Sequence, residues 1–375
     1  TCLVGSEMCI RDRGKIFLFA TIFLASISNA FCNQENDSLS SLEKKAYDPV
    51  PDIMHHISDS HEWHFWGEGE SAVTLSLPII LWTDNGLVGP FLSSKFNHND
   101  NGQIVVIVDG HSLVKIHDKI YELNQGQKSA VFDESHHIKN GILPLDFSIT
   151  KNVACMLIAF FLLLLFFIIS GIKAKNNKTA PSGLLSFLEP LVLFVRDDIV
   201  KPNIGKNYKK YLPYLLTLFF FVLMNNLLGL IPGSANVTGN IAITLVLSFI
   251  TLVVTNFSGN KSYWGHIFNP PGVPLALMPI MIPIEIVGIF TKPFALMIRL
   301  FANITAGHII VLSLVSLIFM AQSGLGDIAA WSLSPVAVVF VLFMDLIEVL
   351  VAFLQAYIFT LLTSLFIGLA TVEEH

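Results

Sequence analysis

Two apolar stretches near the C-terminal end, Val273–Ala321 and Ser332–Ala370, are each about twice the ~20 residues that a helix needs to cross a bilayer. Helices of that length cannot stand upright in a hydrocarbon core about 30 Å thick, so they tilt strongly, kink or fold into hairpins. The first is punctuated by Pro274, Pro279, Pro283 and Pro293. Three ordinary spans precede them: Asn152–Ile172, Tyr211–Ile231 (stopped by Pro232-Gly233) and Asn240–Phe257. A shorter apolar piece, Leu184–Val195, is of a length to lie along or dip into the interface. Only 13% of the residues are charged, against roughly 25% in soluble domains, and the deficit is confined to these runs. The pattern predicts an all-α integral membrane protein with about five transmembrane helices, two of them long, tilted and C-terminal, plus a small N-terminal extracytoplasmic extension with some β structure.

Residues 1–13 do not open on Met and read unlike the rest of the chain, so a non-native start is an expectation here. Lys15, the apolar Ile16–Ile27 and the small residues Ser28 and Ala30 have the layout of a secretory signal cleaved after Ala30; an uncleaved anchor helix is the alternative. The domain expectation is therefore a signal region over 1–30, an extension over 31–150 and a membrane domain over 151–375. Within the extension, Ala72–Trp82, Ile104–Asp109, Leu113–Ile116 and Lys119–Leu123 read as strands, and Asp109-Gly110 between two of them is a hairpin signal. The segment 173–210 carries Lys173, Lys175, Lys178, Arg196, Lys201, Lys206, Lys209 and Lys210, which predicts a cytoplasmic position for it. The extension then lies outside, and five crossings return the C-terminus to the cytoplasm.

Ionisable side chains inside a bilayer cost about 2.5–3.5 kcal/mol at mid-helix and mark ion pathways by default. The first long stretch holds Glu285, Lys292 and Arg299, the second Asp345 and Glu348. At about 100° per residue, Glu285 and Arg299 fall within about 40° of one another, and Asn303 follows Arg299 by one turn. Glu348 and Gln355 are likewise nearly aligned, with Asp345 one turn earlier. Two polar stripes on two long helices would face each other or a common partner. Arg299 stays charged under essentially any condition, so it cannot relay protons; it can hold a carboxylate ionised and repel a leaking proton. Its alternatives are snorkelling or an internal pair with Glu285. His308 and Glu348 can both take up and release protons, although a membrane histidine is also at home as a hydrogen-bonded core residue.

The run Leu296-Met297-Ile298-Arg299-Leu300-Phe301-Ala302-Asn303-Ile304-Thr305-Ala306-Gly307-His308 resembles the arginine signature of the ATP synthase subunit a family. Gln355-Ala356-Tyr357-Ile358-Phe359-Thr360-Leu361-Leu362 is similar to that family's last-helix segment, and Met224-Asn225-Asn226-Leu227-Leu228-Gly229-Leu230-Ile231-Pro232 to its earlier Gly-Leu-x-Pro turn. The resemblance covers about residues 150–372. It implies a stator of the F-type complex carrying two proton half-channels. Arg299 would face the carboxylates of a c-subunit ring, with Asn303 and Gln355 beside it. His308 and Glu348 would form a proton relay, exchanged relative to the commonest bacterial order, and Glu285, Asn225 and Asn226 would line the water-filled paths. Further implied partners are the b-subunit peripheral stalk and, indirectly, the F1 catalytic sector, in a bacterial inner membrane. Ala302 stands where glycine is frequent in the family.

Gly288, Ala295, Ala302, Ala306 and Gly307 would allow ring helices to approach closely; packing against the chain's own helices is the alternative. No GxxxxGK[ST] phosphate loop occurs, so the chain is not expected to turn over nucleotide, and no cofactor is implied. Scattered Cys2, Cys9, Cys32 and Cys155 form no metal or disulfide framework, and no basic-aromatic surface suggests nucleic acid. The extension is rich in histidine: His55, His56, His61, His64, His98, His111, His117, His136 and His137. Their spacing matches no defined metal motif. A solvated segment, proton collection at a channel mouth and metal binding all stay open for them. A stand-alone ion-coupled transporter is the competing function; such proteins usually show two repeated halves, and no internal repeat is found.

Overall fold

A computed structural model describes residues 47–66, 73–84, 86–97, 99–124, 127, 131, 138–176, 183–231, 233–268 and 277–371. The signal-like segment, Pro274, His98, His136 and His137 lie outside the described residues. The chain divides into two units, one of Thr1–Lys45 with Trp66–Ala72 and one of Ala46–Phe65 with Val73–His375. All described residues except Trp66 belong to the second.

The extension opens with helix α1 (Val50–Ile57), followed by strands β1 (Glu62–Trp66), β2 (Val73–Ser76), β3 (Pro78–Thr83), β4 (Gly86–Leu92), β5 (Asn101–Val108), β6 (His111–Ile116), β7 (Lys119–Leu123), β8 (Gly141–Ile142) and β9 (Leu145–Asp146). Two antiparallel sheets carry its core, in the orders β4-β3-β9 and β5-β6-β7-β8. Alternation along β3 buries Ile79 and Leu81, which pack with Val88, Phe91, Phe96, Val108, Leu113 and Ile120. The expected hairpin is present. Asp109 (φ 52°) and Gly110 (φ 87°) join Val108 to its partner His111, with both central residues left-handed as a tight hairpin requires. The expected run Ala72–Trp82 is instead two strands broken at Leu77. Strand β4 has no clear signal in the sequence, because Gly86, Gly89 and Pro90 dilute its apolar pattern.

The membrane part contains α2 (Lys151–Asn176), α3 (Leu184–Phe194), a π-helical turn over Val195–Val200, α4 (Lys201–Ile204), α5 (Tyr208–Gly229), α6 (Ile241–Phe257), α7 (Lys261–Phe268), α8 (Met278–Leu325) and α9 (Asp327–Thr371). Among the described residues, four helical stretches are long and apolar enough to cross a membrane, and the α6–α7 pair, bent by 102°, brings the number to five if it is counted as one span. The Leu184–Val195 piece does not stand alone: it begins a helical path running to Gly229. The overlong stretches are single helices, 48 residues in α8 and 45 in α9. At 1.5 Å per residue α8 is about 70 Å long, more than twice the hydrocarbon thickness, so tilt is obligatory.

Gly326, at φ 88°, closes α8 and turns the chain back into α9, a backbone conformation that glycine adopts at little cost. The two long helices then run antiparallel. Gly307 faces Glu348, and Lys292 Nζ lies 5.7 Å from the Phe366 ring centroid. Their common core with α3–α5 includes Leu188, Ile199, Leu215, Phe219, Leu296, Leu300, Phe359 and Ile367. Small polar residues bind the bundle internally: Ser364 Oγ donates to the Ile199 carbonyl at 3.1 Å, and Asn226 Nδ2 to that of Ala352 at 3.1 Å. Such contacts are how apolar-surfaced helices hold together without a hydrophobic drive between them. Outward-facing residues such as Phe160, Phe161, Leu165, Ile168 and Ile172 of α2 are exposed, as a lipid-facing surface would be.

A cluster of Trp63, Leu77, Cys155, Ala235 and Val237 joins β1 to the start of α2 and the α5–α6 turn, and the Trp63 indole donates to the Gly233 carbonyl at 2.6 Å. The extension therefore sits at the end of the bundle that holds the α5–α6 and α8–α9 turns. Lys173, Lys175, Arg196, Lys201, Lys206, Lys209 and Lys210 are all at the other end, as is the close of α9, whose Ala370 carbonyl accepts from Asn260 N–H.

Candidate functional site

The α8–α9 pair carries all five ionisable groups singled out from the two long apolar stretches, and the pairing sorts them by depth. His308 Nδ1 lies 3.9 Å from Glu348 Oε1. Glu348 is buried, at 7% exposure, and His308 is mostly covered. The approach depends on Gly307: a Cβ there would stand 3.2 Å from Glu348 Oε1. Gly307 thus packs against the chain's own Glu348, the alternative to opening the helix to an outside partner. Asp345, one turn before Glu348, is half-buried, so an imidazole and two carboxylates meet in one region.

Arg299 is exposed on the chain by itself, and no described residue pairs with it. The alternative of an internal ion pair with Glu285 is not what the chain adopts. Leu296, Met297 and Leu300 around it point inward, while Ala295, Ala302, Asn303 and Ala306 share the outward side. Gly288 is also open, with no atom within 4 Å of where a Cβ would be. Counting outward from the Gly307–Glu348 contact brings Arg299 level with about residue 356 of α9, next to Gln355, which is buried at 3% exposure. The stripes therefore do not simply face one another. Glu348 and Gln355 look into the helix pair, and Arg299 and Asn303 look away from it.

On the other side of Arg299 lies a small, mainly apolar cavity of about 20 Å³, whose wall includes Leu252, Ile289 and Phe366 and the polar Thr255, Asn256, Tyr263 and Lys292. The Tyr263 hydroxyl donates to Asn256 Oδ1 at 3.2 Å, and Glu285 is half-buried within electrostatic reach of Tyr263. Glu285 and His308 stand 14 and 9 residues from Arg299 in opposite directions, about 21 and 14 Å along the axis. The arginine is an exposed cation between the His308–Glu348 pair on one side and half-buried Glu285 on the other.

Asn225 and Asn226 of α5 are both buried. Asn226 is committed to packing, since its Oδ1 accepts from Thr238 Oγ1 at 2.7 Å while its amide reaches α9. Asn225 donates to the Phe221 carbonyl at 2.8 Å, and its Oδ1 has no donor among the described residues. A buried carbonyl of this kind is normally satisfied by a protein donor or an ordered water.

A family model for the ATP synthase A chain matches residues 153–368, more than half of the chain. The chain belongs to this family. A second model, for a domain of unknown function, matches residues 52–147, which coincides with the strand-rich extension. Among relatives, ATP synthase subunit a of Chlorobium phaeobacteroides is 41% identical over 81% of this chain and 93% of its own length. ATP synthase subunit a 2 of Chlorobaculum tepidum is 49% identical over 65% of this chain and 69% of its own length. ATP synthase subunit a of Myxococcus xanthus is 44% identical over 62% and 75%. The Chlorobium match reaches well beyond the family core, so the extension is shared with at least that relative.

Histidines of the extension are partly accounted for. His61 Nε2 lies 2.7 Å from Asp146 Oδ2, and His111 Nδ1 lies 2.5 Å from Glu122 Oε1. Burial acts to raise the Asp146 carboxyl, but hydrogen bonds from His61 and Ser148 outweigh it and hold the group below the usual carboxylate range. No group of three or more His, Cys, Asp or Glu able to hold a metal occurs among the described residues. One histidine stands apart in the structure though nothing in the sequence separates it from the others: the rings of His56 and His308 stack, centroids 5.6 Å apart and planes 15° from parallel. No local pattern announces this contact, because it joins α1 to α8 across most of the chain.

Proposed function

We propose that the chain is the stator subunit a of a bacterial F-type ATP synthase, holding the two proton half-channels that couple proton flow to rotation of a c-subunit ring. The observation that carries this reading is Arg299, an outward-facing cation, unpaired among the described residues, between the His308–Glu348 pair and Glu285 on an apolar helix pair. A ring carboxylate moving through lipid must be protonated, because a bare charge there costs about 2.5–3.5 kcal/mol. Beside Arg299 it ionises, since a cation at close range lowers a carboxyl pKa by about 1–3 units. It gives up its proton into one half-channel and regains one from the other after nearly a full turn.

His308 and Glu348 relay protons in the half-channel on the extension side, with Asn225 offering an oxygen to water there. Glu285 belongs to the half-channel on the other side. Asn303 and Gln355 flank the arginine at the rotor surface, and Asn226 acts by fixing α5 to α9. The subunit resides in the inner membrane with residues 31–150 outside, following a signal region over 1–30, and with the membrane domain over 151–375. The peripheral stalk's b subunit and, through it, the F1 sector are its other partners; ATP chemistry belongs to F1. No observation favours a stand-alone transporter.

The test is Arg299→Ala in inverted membranes holding the complete complex. ATP-driven acidification is expected to disappear while the complex assembles in normal amounts. Pumping that survives near the wild-type rate would make Arg299 structural and sink the assignment.

A further inference from the structure

The extension does more than sit above the bundle. Helix α1 docks on the end of α8, where Tyr47 N–H donates to Ser323 Oγ at 3.4 Å and the Tyr47 and Phe319 rings meet edge to face at 6.1 Å. This docking brings His56 onto His308, ring against ring. Lys151, the first residue of α2, donates its ammonium to the His56 carbonyl at 3.0 Å and so fixes the end of α1 over the bundle. Beside His56 opens a polar cleft of about 40 Å³, lined also by Glu62, His64, Lys151 and Ser234. That is room for about three waters at 10–15 Å³ each.

We propose that His56 is the outermost proton-handling residue of the extension-side half-channel, taking protons from water in this cleft and passing them to His308. The inference rests on the stator reading above and extends it to a residue outside the family core. Stacked imidazoles do not hydrogen-bond ring to ring, so transfer between them runs through a bridging water at their edges. A hydronium in the cleft gives its proton to a neutral His56 nitrogen. The opposite nitrogen of the resulting imidazolium releases a proton through the bridging water to His308, and His308 delivers one to Glu348. Both histidines end neutral, and one proton has moved from outside water to Glu348.

The charges around His56 suit this traffic. Glu62 and His64 face it from β1, Lys151 from α2, His308 from α8, with Glu348 and Asp345 of α9 behind. Two stacked imidazoles do not both hold a positive charge comfortably at this separation. Protonation of His56 therefore favours transfer inward, toward the carboxylates, while the charge of Lys151 in the cleft is balanced by Asp59 and Asp118.

The experiment uses the complete complex in proteoliposomes, with ATP synthesis driven by a constant proton-motive force while the pH on the extension side is stepped through the imidazole range, about 5.5 to 8.5. The variants are His56→Phe, which keeps a flat ring, and His56→Gln. Both are expected to match wild type at the acid end, where protons are abundant. Both should fall by about tenfold at the alkaline end, where local capture limits supply, and free imidazole on the extension side should restore the rate. A wild-type profile for His56→Phe would mean that only the ring's packing matters, and would overturn the proposal. An equal loss at every pH without imidazole rescue would overturn it too. Arg299→Ala runs alongside. If that variant still makes ATP, the stator reading itself fails; if it is dead while both His56 variants titrate like wild type, only the role of His56 falls.

Discussion

At the residue scale, the proposed relay depends on a distance that glycine makes available. Gly307→Ala places a methyl 3.2 Å from Glu348 Oε1, tighter than van der Waals contact. The carboxylate must then give way by a few tenths of an ångström, which disturbs its 3.9 Å approach to His308. ATP-driven acidification is expected to fall severalfold with assembly unchanged. The His308/Glu348 pair offers a second prediction. His308→Ala and Glu348→Ala should each lower pumping by at least about a hundredfold, the low end of what positioned acid–base groups contribute. The exchanged double variant His308→Glu/Glu348→His should recover much of the loss, since it keeps one imidazole and one carboxylate. Failure of the exchange to recover activity would mean that the surroundings, including stacked His56, are specific to this order.

At the element scale, α9 is held against α4 as closely as two backbones allow. A Cβ on Gly368 would meet the Asn203 carbonyl oxygen, a backbone atom that cannot swing aside. Gly368→Ala is expected to destabilise the chain by about 1–3 kcal/mol, the range for overpacked sites. A lowered midpoint of thermal unfolding for the purified chain would register it. In the extension, β9 is tied to the start of β1 by the His61–Asp146 contact. Asp146 is held below its ordinary carboxyl value, so its stabilisation is present above about pH 4, the unfolded value, and is lost as pH falls through the lower folded value. Asp59 has the opposite sign. Burial raises its carboxyl, against the Asn152 N–H that it accepts at 3.2 Å. Its contribution is fully present below about pH 4 and is lost as pH rises through the higher folded value. Asp146→Asn should thus lower the extension's thermal midpoint at pH 6 and flatten its decline toward pH 3, as read by unfolding scans across that range.

At the scale of the whole molecule, the extension and the basic end lie on opposite sides of five crossings, and basic residues mark the cytoplasmic face of a membrane protein. Cysteine placed at Ile107, 72% exposed on β5, should react with a membrane-impermeant maleimide in intact cells. Cysteine at Lys206, exposed beside α4, should react only in inverted vesicles. The reverse pattern would invert the topology and exchange the two half-channels.

Much of this was legible in the residues. Apolar run length determined the number of crossings and forced α8 and α9 to tilt, because no hydrogen-bonded alternative to a helix survives in lipid for a chain of this pattern. Helical periodicity put Arg299 with Asn303 and Glu348 with Gln355, since the 3.6-residue repeat holds wherever a helix forms. Asp109-Gly110 marked its hairpin because the required backbone angles are local. Only the tertiary structure decided which way each stripe looks. Arg299 is outward and Glu348 inward because the register set at Gly326 brings Gly307 onto Glu348, and a sequence does not state the register between two helices. The same holds for Asn226, whose bonds to Thr238 and Ala352 are made across elements. It holds above all for His56, one histidine among many in the sequence, whose place on His308 depends on where α1 docks.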